Sequence, residues 1–238
     1  MTEPSKQADD MSPLLESTHP LLQQFRKECP GTYKHCQTVA SMIEAVAMEL
    51  GLDIVGMKVR AMYHDIGKMF NPQAFSENQG DENVHDGIEP VLSVQLLTRH
   101  VSDTVMLLVQ SGEFPMEIID SISRHHGNSL LRVFMKKADA RDDGVTFRYH
   151  SGRPKTVEDA ILMITDCAEA STRSLSQGGR LENVQAHVEQ IIQDLMNDGQ
   201  LDDVTMKLGD LTRIKGVLKS ELGGAFQKRV EYEDGQGE

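Results

Sequence analysis

The spacing of apolar residues is the feature that most limits the folds open to this chain. Between positions 32 and 50, apolar side chains occur at Val39, Ile43, Val46 and Leu50, three or four residues apart. This spacing places them on one face of an α-helix, and similar spacing recurs along most of the chain. We find no convincing alternation of apolar and polar residues, and aromatic residues, which favour strands, make up only 5% of the chain. The sequence therefore predicts an all-α fold.

The same patterns divide the chain into a helical domain and two polar ends. At 238 residues the length suits one domain with its own core. Asp53 is predicted to cap the second helix, and Asp86 with Glu89 the third. We expect a disordered N-terminal segment at 1–17, a helical domain at 18–223 and an acidic C-terminal tail at 224–238, with a polar loop at 71–84 and an irregular segment at 139–155. Helices are predicted at 32–50, 53–67, 86–100, 102–111, 115–126, 129–138, 157–175, 184–195 and 210–222.

The chain carries a large excess of negative charge, with 37 acidic residues against 24 lysines and arginines. The formal net charge of −13 repels the backbone of nucleic acids, so we expect no DNA or RNA duplex as a partner. An anionic small-molecule substrate would need a local positive field, and bound metal ions are the obvious source of one.

Cysteine content and hydropathy predict the compartment. Cys29, Cys36 and Cys167 are too few and too irregularly spaced for a disulfide framework or a thiolate zinc site, which favours a reducing, cytoplasmic location. The N-terminus has no apolar run typical of a signal peptide, and no stretch approaches the roughly 20 apolar residues that cross a bilayer. The sequence therefore predicts a soluble chain without a membrane segment.

Histidine and aspartate residues stand where the pattern predicts buried helix faces or helix ends. His35 precedes Val39 by four positions and extends its apolar face, and Asp166 lies inside the apolar run AILMITDCAEA. An ionised aspartate in that setting is costly unless it is paired or bound to a metal. Metal sites in helical bundles are built from such groups on several helices, and imidazole with carboxylate suits Mn²⁺, Fe²⁺ or Zn²⁺. The set comprises His35, His64, Asp65, His100, His125, His126 and Asp166.

The order of these residues resembles that of the HD superfamily of metal phosphohydrolases in its two-metal form. The resemblance extends to the HD domain of the seven-transmembrane HD proteins, whose characterised members are cyclic di-AMP phosphodiesterases. Two features depart from that subfamily, since the chain has no membrane helices or extracellular module and Val84 stands where proline is usual. The similar segments run in order from about His19 to Leu211 and are HPLLQQFRKECPGTYKH, YHDIGK, SENQ with NVHD, RHVSD, RHHG, FRYHSGRPKT, AILMITDCAEASTRSL and DGQLDD.

The resemblance implies an HD-domain helical bundle at 18–223 with a two-metal site in its core. A hydroxide that bridges the two ions would attack a phosphodiester of a small-molecule nucleotide, converting cyclic di-AMP to linear pApA. Asp65 and Lys68 are the catalytic residues that it implies, and Lys68 and Arg148 the substrate contacts. One divalent ion, Mn²⁺ or Fe²⁺, would be held by His35, His64, Asp65 and Asp166, and the other by Asp65, His100, His125 and His126.

Two other functions remain open at this point. One is a two-metal HD phosphohydrolase that acts on another nucleotide or phosphate ester, although the Gly-Tyr-Pro signature of the cyclic di-GMP branch is absent. The other is a nucleotide-sensing HD module that has lost turnover, although such modules usually lack one or more ligands. Metal content after purification would help to separate them. An exposed C-terminal helix could serve a homodimer.

Several other histidines, cysteines and a lysine are predicted not to be metal ligands. Asp86 is expected to cap a helix, so His85 is predicted to be a loop residue outside the metal site. Cys36 and Cys167 adjoin predicted ligands, but small buried thiols more often pack the core. Lys68 could also be a cation that the helix dipole favours near a C-terminus. No role is predicted for His19, His150 or His187.

Overall fold

The computed structural model describes residues 10–80 and 82–233, with side chains up to residue 226, and confirms the all-α fold. Within these residues there is no strand, and Leu130 and Arg148 form an isolated antiparallel bridge. Short 3₁₀ turns lie at Ser12–Leu15, Ile66–Phe70, Pro72–Ala74, Ser76–Asn78 and Val84–Asp86. The α-helices are α1 (Pro20–Glu28), α2 (Pro30–Leu50), α3 (Ile54–Tyr63), α4 (Pro90–Ser111), α5 (Met116–Ser123), α6 (Arg132–Lys137), α7 (Val157–Gln177), α8 (Val184–Asn197) and α9 (Leu208–Glu233).

Helices α2 and α7 lie at the centre of the fold. Helix α2 contacts α1, α3, α7 and α9, and α7 also packs against α8. The predicted apolar face of α2 is buried, with Val39, Ile43 and Val46 fully enclosed, and residues 160–164 of α7 are enclosed in the same way. Burial of one such side chain contributes about 1.5–3 kcal/mol to the free energy of folding. This packing fixes the positions of the polar residues that the two helices also carry.

Local sequence explains where the central helices begin and end. Gly51 ends α2 with a φ of 69°, which glycine adopts without strain. Asp53 caps α3, as predicted, because its carboxylate accepts a hydrogen bond from the N–H of Val55. Thr156 and Asp159 form a capping box at the start of α7.

Helix boundaries differ from the prediction at α3, which ends at Tyr63 rather than at 67, and between residues 86 and 138. The helices predicted at 86–100 and 102–111 form the single helix α4, because no glycine or proline interrupts it after Pro90. The predicted capping box of Asp86 and Glu89 is wrong, since Asp86 lies in a 3₁₀ turn and Pro90, a residue favoured at the first helical position, begins α4. Helix α5 ends at Ser123, and α6 spans only Arg132–Lys137.

Both predicted polar ends contain regular structure. The disorder expected at 1–17 is wrong for Ser12–Leu15, because Leu14 buries its side chain and its carbonyl accepts a hydrogen bond of 2.6 Å from the Tyr63 hydroxyl. At the other end, α9 continues past the predicted end at 222 to Glu233, so much of the predicted acidic tail is helical. Residues 1–9 and 234–238 lie outside the described residues. None of the helices described is both long and apolar enough to cross a membrane.

Candidate metal centre

The structure brings the seven predicted histidines and aspartates together in the core. Helix α2 supplies His35, α4 supplies His100 and α7 supplies Asp166, while the remaining residues come from the chain just after α3 and α5. All seven are buried except for His126, which is partly exposed. The residues that follow the two shorter helices are His64 and Asp65 after α3, and His125 and His126 after α5.

The seven residues form two groups of four, and the ligand atoms within each group lie within 4.8 Å of one another. Asp65 belongs to both groups. Its Oδ2 lies 3.3 Å from Nε2 of His64, and its Oδ1 lies 3.2 Å from Nε2 of His100. One carboxylate therefore faces both groups, as a bridging ligand must. The first ligand group is His35, His64, Asp65 and Asp166, and the second ligand group is Asp65, His100, His125 and His126.

Backbone carbonyls fix which nitrogen three of the imidazoles direct into the centre. In each case Nδ1–H donates to the carbonyl three residues earlier in the chain. A carbonyl can only accept, so the neutral ring carries its proton on Nδ1 and directs the lone pair of Nε2 inward. These bonds join His64 to Ala61 at 2.8 Å, His100 to Leu97 at 2.6 Å and His125 to Ile122 at 2.6 Å.

The atoms directed inward fit divalent metal ions. Nε2 of His100 and Nε2 of His125 lie 3.3 Å apart, and two lone pairs face each other when both Nδ1 protons bond to carbonyls. Nε2 of His64 and Oδ1 of Asp65 are buried without a hydrogen-bond partner among the described residues. Polar atoms buried in this way are costly, whereas a divalent cation accepts imidazole and carboxylate as ligands.

Negative charge dominates the first ligand group. Burial lowers the pKa of His35, but its hydrogen bonds to Asp166 and Glu169 outweigh burial and raise the pKa to about 10. Burial raises the pKa of Asp166, but its contacts with His35 and His64 reverse this effect and hold the pKa well below its usual value. Without a cation, protons therefore compensate the carboxylates, and a bound divalent cation would displace those protons.

In the second ligand group, the imidazoles of His125 and His126 favour the neutral form. Burial lowers the pKa of His125, and burial together with the nearby His125 lowers the pKa of His126 well below its usual value. A neutral imidazole is the form that ligates metals. The His126 ring packs on the ring of Tyr149, with centroids 4.3 Å apart.

Lys68 lies beside Asp65 with its ammonium group buried. Nζ lies 2.7 Å from Oδ2 of Asp65 and 3.0 Å from Oε1 of Glu77, and it is 4.5 Å from the centroid of the Phe75 ring. Burial lowers the pKa of Lys68, but the charges of Asp65 and Glu77 outweigh burial and hold it well above its usual value. Lys68 is therefore a charged ammonium in direct contact with the residue shared by both ligand groups.

Arg148 lies outside both ligand groups, and its guanidinium is bonded to protein. Nε donates to Asp142, Nη2 donates to Asp142 and Asp198, and Nη1 donates to Asp198 and to the carbonyl of Asn128. The bonds to Asp142 and Asp198 raise the pKa of Arg148 above its usual value. Because each of the three nitrogens has an acceptor, this geometry does not support the predicted contact with substrate.

Two carboxylates that touch the predicted residues were missed by the sequence analysis. Oε2 of Glu169 contacts Nδ1 of His35. Glu169 follows Asp166 by three positions on α7, and this spacing on one helix face could have identified it. Glu77 bonds to Lys68 and accepts a hydrogen bond of 2.9 Å from the hydroxyl of Thr32. It lies in a short 3₁₀ turn, so no helical periodicity pointed to it.

Two residues that were predicted to lie outside the metal site are in neither ligand group. His85 lies buried in the 3₁₀ turn Val84–Asp86, and its Nε2–H donates to the carbonyl of Ala74 at 2.8 Å. Cys36 is fully buried, with Sγ 3.8 Å from Nδ1 of His64.

A cavity of about 500 Å³ opens beside the first ligand group. Its walls come from α2, α7, α9 and the turn Ser76–Asn78, and His35 and Glu169 are part of the lining. Lys34 and Arg173 bring positive charge to it. Arg173 also pairs with Glu169, with Nε 3.2 Å from Oε1.

Comparison with known proteins defines the class to which this fold and site belong. Residues 32–171, more than half of the chain, match the family described as HD domain. The chain therefore belongs to the HD domain family, and the resemblance inferred from the sequence is confirmed. HD domains bind divalent metals, and the histidine and aspartate clusters that such binding requires are present here.

The chain is also similar to individual proteins whose sequences or crystal structures are known. The chain is 37% identical over 223 residues to "Cyclic-di-AMP phosphodiesterase PgpH" of Bacillus subtilis (strain 168), which covers 92% of this chain and 31% of that protein. The crystal structure of the L. monocytogenes phosphodiesterase PgpH HD domain has a TM-score of 0.79 and 33% identity, covering 87% of this chain and 99% of that one. The same domain in complex with cyclic-di-AMP has a TM-score of 0.78 and the same identity, with 87% and 97% covered.

Proposed function

We propose that this chain is a metal-dependent phosphodiesterase that hydrolyses a cyclic dinucleotide, and that cyclic di-AMP is its substrate. The observation that carries this proposal is the pair of ligand groups that share Asp65, because such a donor set suits two-metal hydrolysis of phosphodiesters. The relatives named as a cyclic-di-AMP phosphodiesterase and as an HD domain in complex with cyclic-di-AMP support the substrate. Addition of one water across one P–O bond would open the ring to linear pApA.

The cofactors in this proposal are two divalent ions, Mn²⁺ or Fe²⁺. The first ligand group would hold one ion and the second ligand group the other, with Asp65 contributing one carboxylate oxygen to each. When bound, the ions supply positive charge that polarises the phosphodiester. Such charge is needed because a chain with a net charge of −13 repels an anionic substrate.

Lys68 is the residue that we propose to contact the phosphate beside the ions. An ammonium group has three N–H donors, and the nearby Asp65 and Glu77 can accept two of them. The third N–H could donate to a phosphate oxygen. Because the ammonium is charged, this bond would strengthen as negative charge develops on that oxygen during the reaction.

The cavity beside His35 is the place that we propose for the remainder of the dinucleotide. Its volume of about 500 Å³ falls within the range of roughly 300–1,000 Å³ typical of small-molecule sites. Lys34 lines this cavity, and none of the side chains described here bonds to its ammonium group. A cyclic dinucleotide has a second phosphate, which a simple phosphodiester lacks, and this phosphate would complement the charge of Lys34.

The wider setting of the site is also part of the proposal. We propose a functional domain at 18–223, a cytoplasmic location and no DNA or RNA duplex as partner, and the free state of Cys29, Cys36 and Cys167 is compatible with a reducing compartment. A homodimer that uses α9 is a further expectation, which light scattering on the purified protein would test.

Hydrolysis of a substrate panel by the purified protein with added Mn²⁺ tests the proposed function. The panel contains cyclic di-AMP, cyclic di-GMP, pApA, common nucleotides and bis(4-nitrophenyl) phosphate, and Asp65→Ala is the control variant. We expect preferential conversion of cyclic di-AMP to pApA. Preference for another compound would indicate an HD phosphohydrolase with a different substrate. Two bound ions without turnover of any compound would favour a sensing module.

A further inference from the structure

The turn that carries His125 and His126 lies outside any helix. It spans residues 124–128, directly after α5. The ring of His125 is fixed through Nδ1 by the carbonyl of Ile122, whereas the ring of His126 has no hydrogen bond to a carbonyl among the described residues. The position of His126 therefore depends on the backbone of this turn, on the neighbouring rings and on Asp166, whose Oδ2 lies 3.7 Å from Nδ1 of His126.

Two distant side chains bond the backbone of this turn at Asn128. Oε1 of Gln200 accepts a hydrogen bond of 2.9 Å from the N–H of Asn128, and Nη1 of Arg148 donates to the carbonyl of Asn128 at 2.8 Å. Both backbone polar groups of Asn128 are thus engaged by side chains. Gln200 is only 1% exposed, so water competes little for the bond it accepts, and loss of that bond would leave a backbone donor unsatisfied.

Asp198 joins these two side chains to each other. Its carboxylate accepts a hydrogen bond of 2.9 Å from Nε2 of Gln200 and one of 2.8 Å from Nη2 of Arg148. Tyr149, the residue after Arg148, donates its N–H to the carbonyl of Ser129 at 3.1 Å. Because the ring of Tyr149 also packs on His126, the same segment fixes both the backbone and one face of the ring.

Gly127 allows this contact to form. Its φ is 52°, in the left-handed region that favours glycine. A Cβ at this position would lie 2.4 Å from Oε1 of Gln200, closer than real Cβ contacts allow. The turn therefore has a glycine at the point where the buried side chain of Gln200 must approach its backbone.

We propose that Gln200, Asp198 and Arg148 form a positioning unit for His126 and, through it, for the ion of the second ligand group. The inference rests on the two-metal site of the proposed function. None of the three belongs to a ligand group; they hold the turn so that His126 converges with His100 and Asp65. This role also accounts for the segments FRYHSGR and DGQLDD, which supply Arg148, Asp198 and Gln200 but none of the proposed ligands.

Binding of Mn²⁺ to the metal-free protein, followed by calorimetry, tests this unit in the variant Gln200→Ala. We expect affinity for one ion to fall about tenfold, the lower end of effects seen when residues that orient metal ligands are removed, while affinity for the other ion stays unchanged. Gln193→Ala is the matched control, since Gln193 is an exposed glutamine of α8. The proposal would be overturned if the affinity for both ions fell equally, or if neither affinity fell.

A second readout does not depend on metal. In NMR spectra of the metal-free protein, the ring signals of His126 should broaden or double in Gln200→Ala, while those of His35 stay sharp. Unchanged His126 signals would contradict the positioning role. If the wild-type protein bound fewer than two ions, the two-metal function would fail, and this spectrum would still decide the role of Gln200. Asp198→Asn, expected to have a smaller effect of the same kind, replaces Gln200→Ala if that variant does not fold.

Discussion

The two ligand groups of the candidate metal centre are constructed in different ways. In the first, His35 and Asp166 lie on α2 and α7 and His64 directly follows α3, and these three helices pack against one another. In the second, His125 and His126 stand in a turn whose backbone is bonded by side chains from far along the chain. Histidines outside a helix can therefore be placed firmly, provided that distant side chains bond the backbone that carries them.

The two groups also differ in charge. The first ligand group contains two carboxylates, Asp65 and Asp166, and a third, Glu169, touches His35. The second ligand group contains only the shared carboxylate of Asp65. A divalent cation gains more from the first set, because each additional carboxylate within a few ångströms adds a favourable Coulomb interaction. The first ligand group should therefore be the tighter site.

Removal of the residue shared by both groups should have the largest effect. In Asp65→Ala we expect loss of both ions and a fall in turnover of the order of 10³-fold or more, because the ions supply several kcal/mol of transition-state stabilisation. Metal analysis and hydrolysis of the preferred substrate measure the two losses. Asp103→Ala, which removes a buried aspartate of α4 in neither group, is the control. Near-normal activity of Asp65→Ala would show that the shared role is wrong.

A change at Lys68 separates catalysis from metal binding. In Lys68→Ala we expect kcat to fall by about 10²-fold, the lower end of the effect of removing one donor to developing negative charge, while both ions remain bound. Lys207→Ala, which removes an exposed lysine at a distance from the ligand groups, should leave both quantities unchanged. If Lys68→Ala lost its ions instead, the residue would position Asp65 rather than contact phosphate.

Stepwise removal of metal tests the difference in charge directly. During titration of the loaded protein with a chelator, we expect one ion to leave at a chelator concentration about tenfold or more below that needed for the other, because of the additional carboxylate. In protein loaded with the diamagnetic ion Zn²⁺, which accepts the same imidazole and carboxylate ligands, the histidine ring signals would identify the vacated group as that of His100, His125 and His126. Simultaneous loss of both ions, or earlier loss from the group of His35, would contradict the order of affinities.

Glu169 provides the counterpart of Gln200 for the first ligand group. In Glu169→Gln the orienting carboxylate of His35 becomes a neutral amide, so we expect affinity for the ion of the first ligand group to fall about tenfold. The other ion should be unaffected, the reverse of the pattern expected for Gln200→Ala. Glu44→Gln, on the same helix as His35 but paired with Lys58, controls for loss of a carboxylate. A larger fall in affinity for the ion of the second ligand group would show that Glu169 does not act through His35.

The sequence was most informative where a single helix determines the outcome. The apolar spacing of α2 correctly predicted its buried face, and Asp53 was correctly predicted to cap α3. The mutual contacts of Gln200 and Asn128 depend on two segments that are distant along the chain, and no local pattern encodes such a meeting. The family resemblance implied a substrate contact for Arg148, but a guanidinium suits phosphate and carboxylate equally well, and only the structure shows that Asp142 and Asp198 engage it.

The smallest expected effect comes from Gly127→Ala, which disturbs the contact of Gln200 without changing Gln200 itself. The alanine Cβ would lie 2.4 Å from Oε1 of Gln200 and 2.8 Å from Cε of Met163, both ends of side chains that can move. Gly51→Ala is the matched control, because Gly51 also has a positive φ but an alanine Cβ there would have no neighbour within 4 Å among the described residues.

Left-handed strain should lower the free energy of unfolding of each variant by about 1–2 kcal/mol, measured by denaturant titration. Gly127→Ala should be destabilised further, because the N–H of Asn128 also loses its acceptor. Only Gly127→Ala should also lower the affinity for the ion of the second ligand group, by a few fold, because Gln200 must withdraw from the N–H of Asn128. Equal metal affinities in the two variants would mean that the turn holds His126 without Gln200. The first and second ligand groups would then differ in their charge but not in how their histidines are held in place.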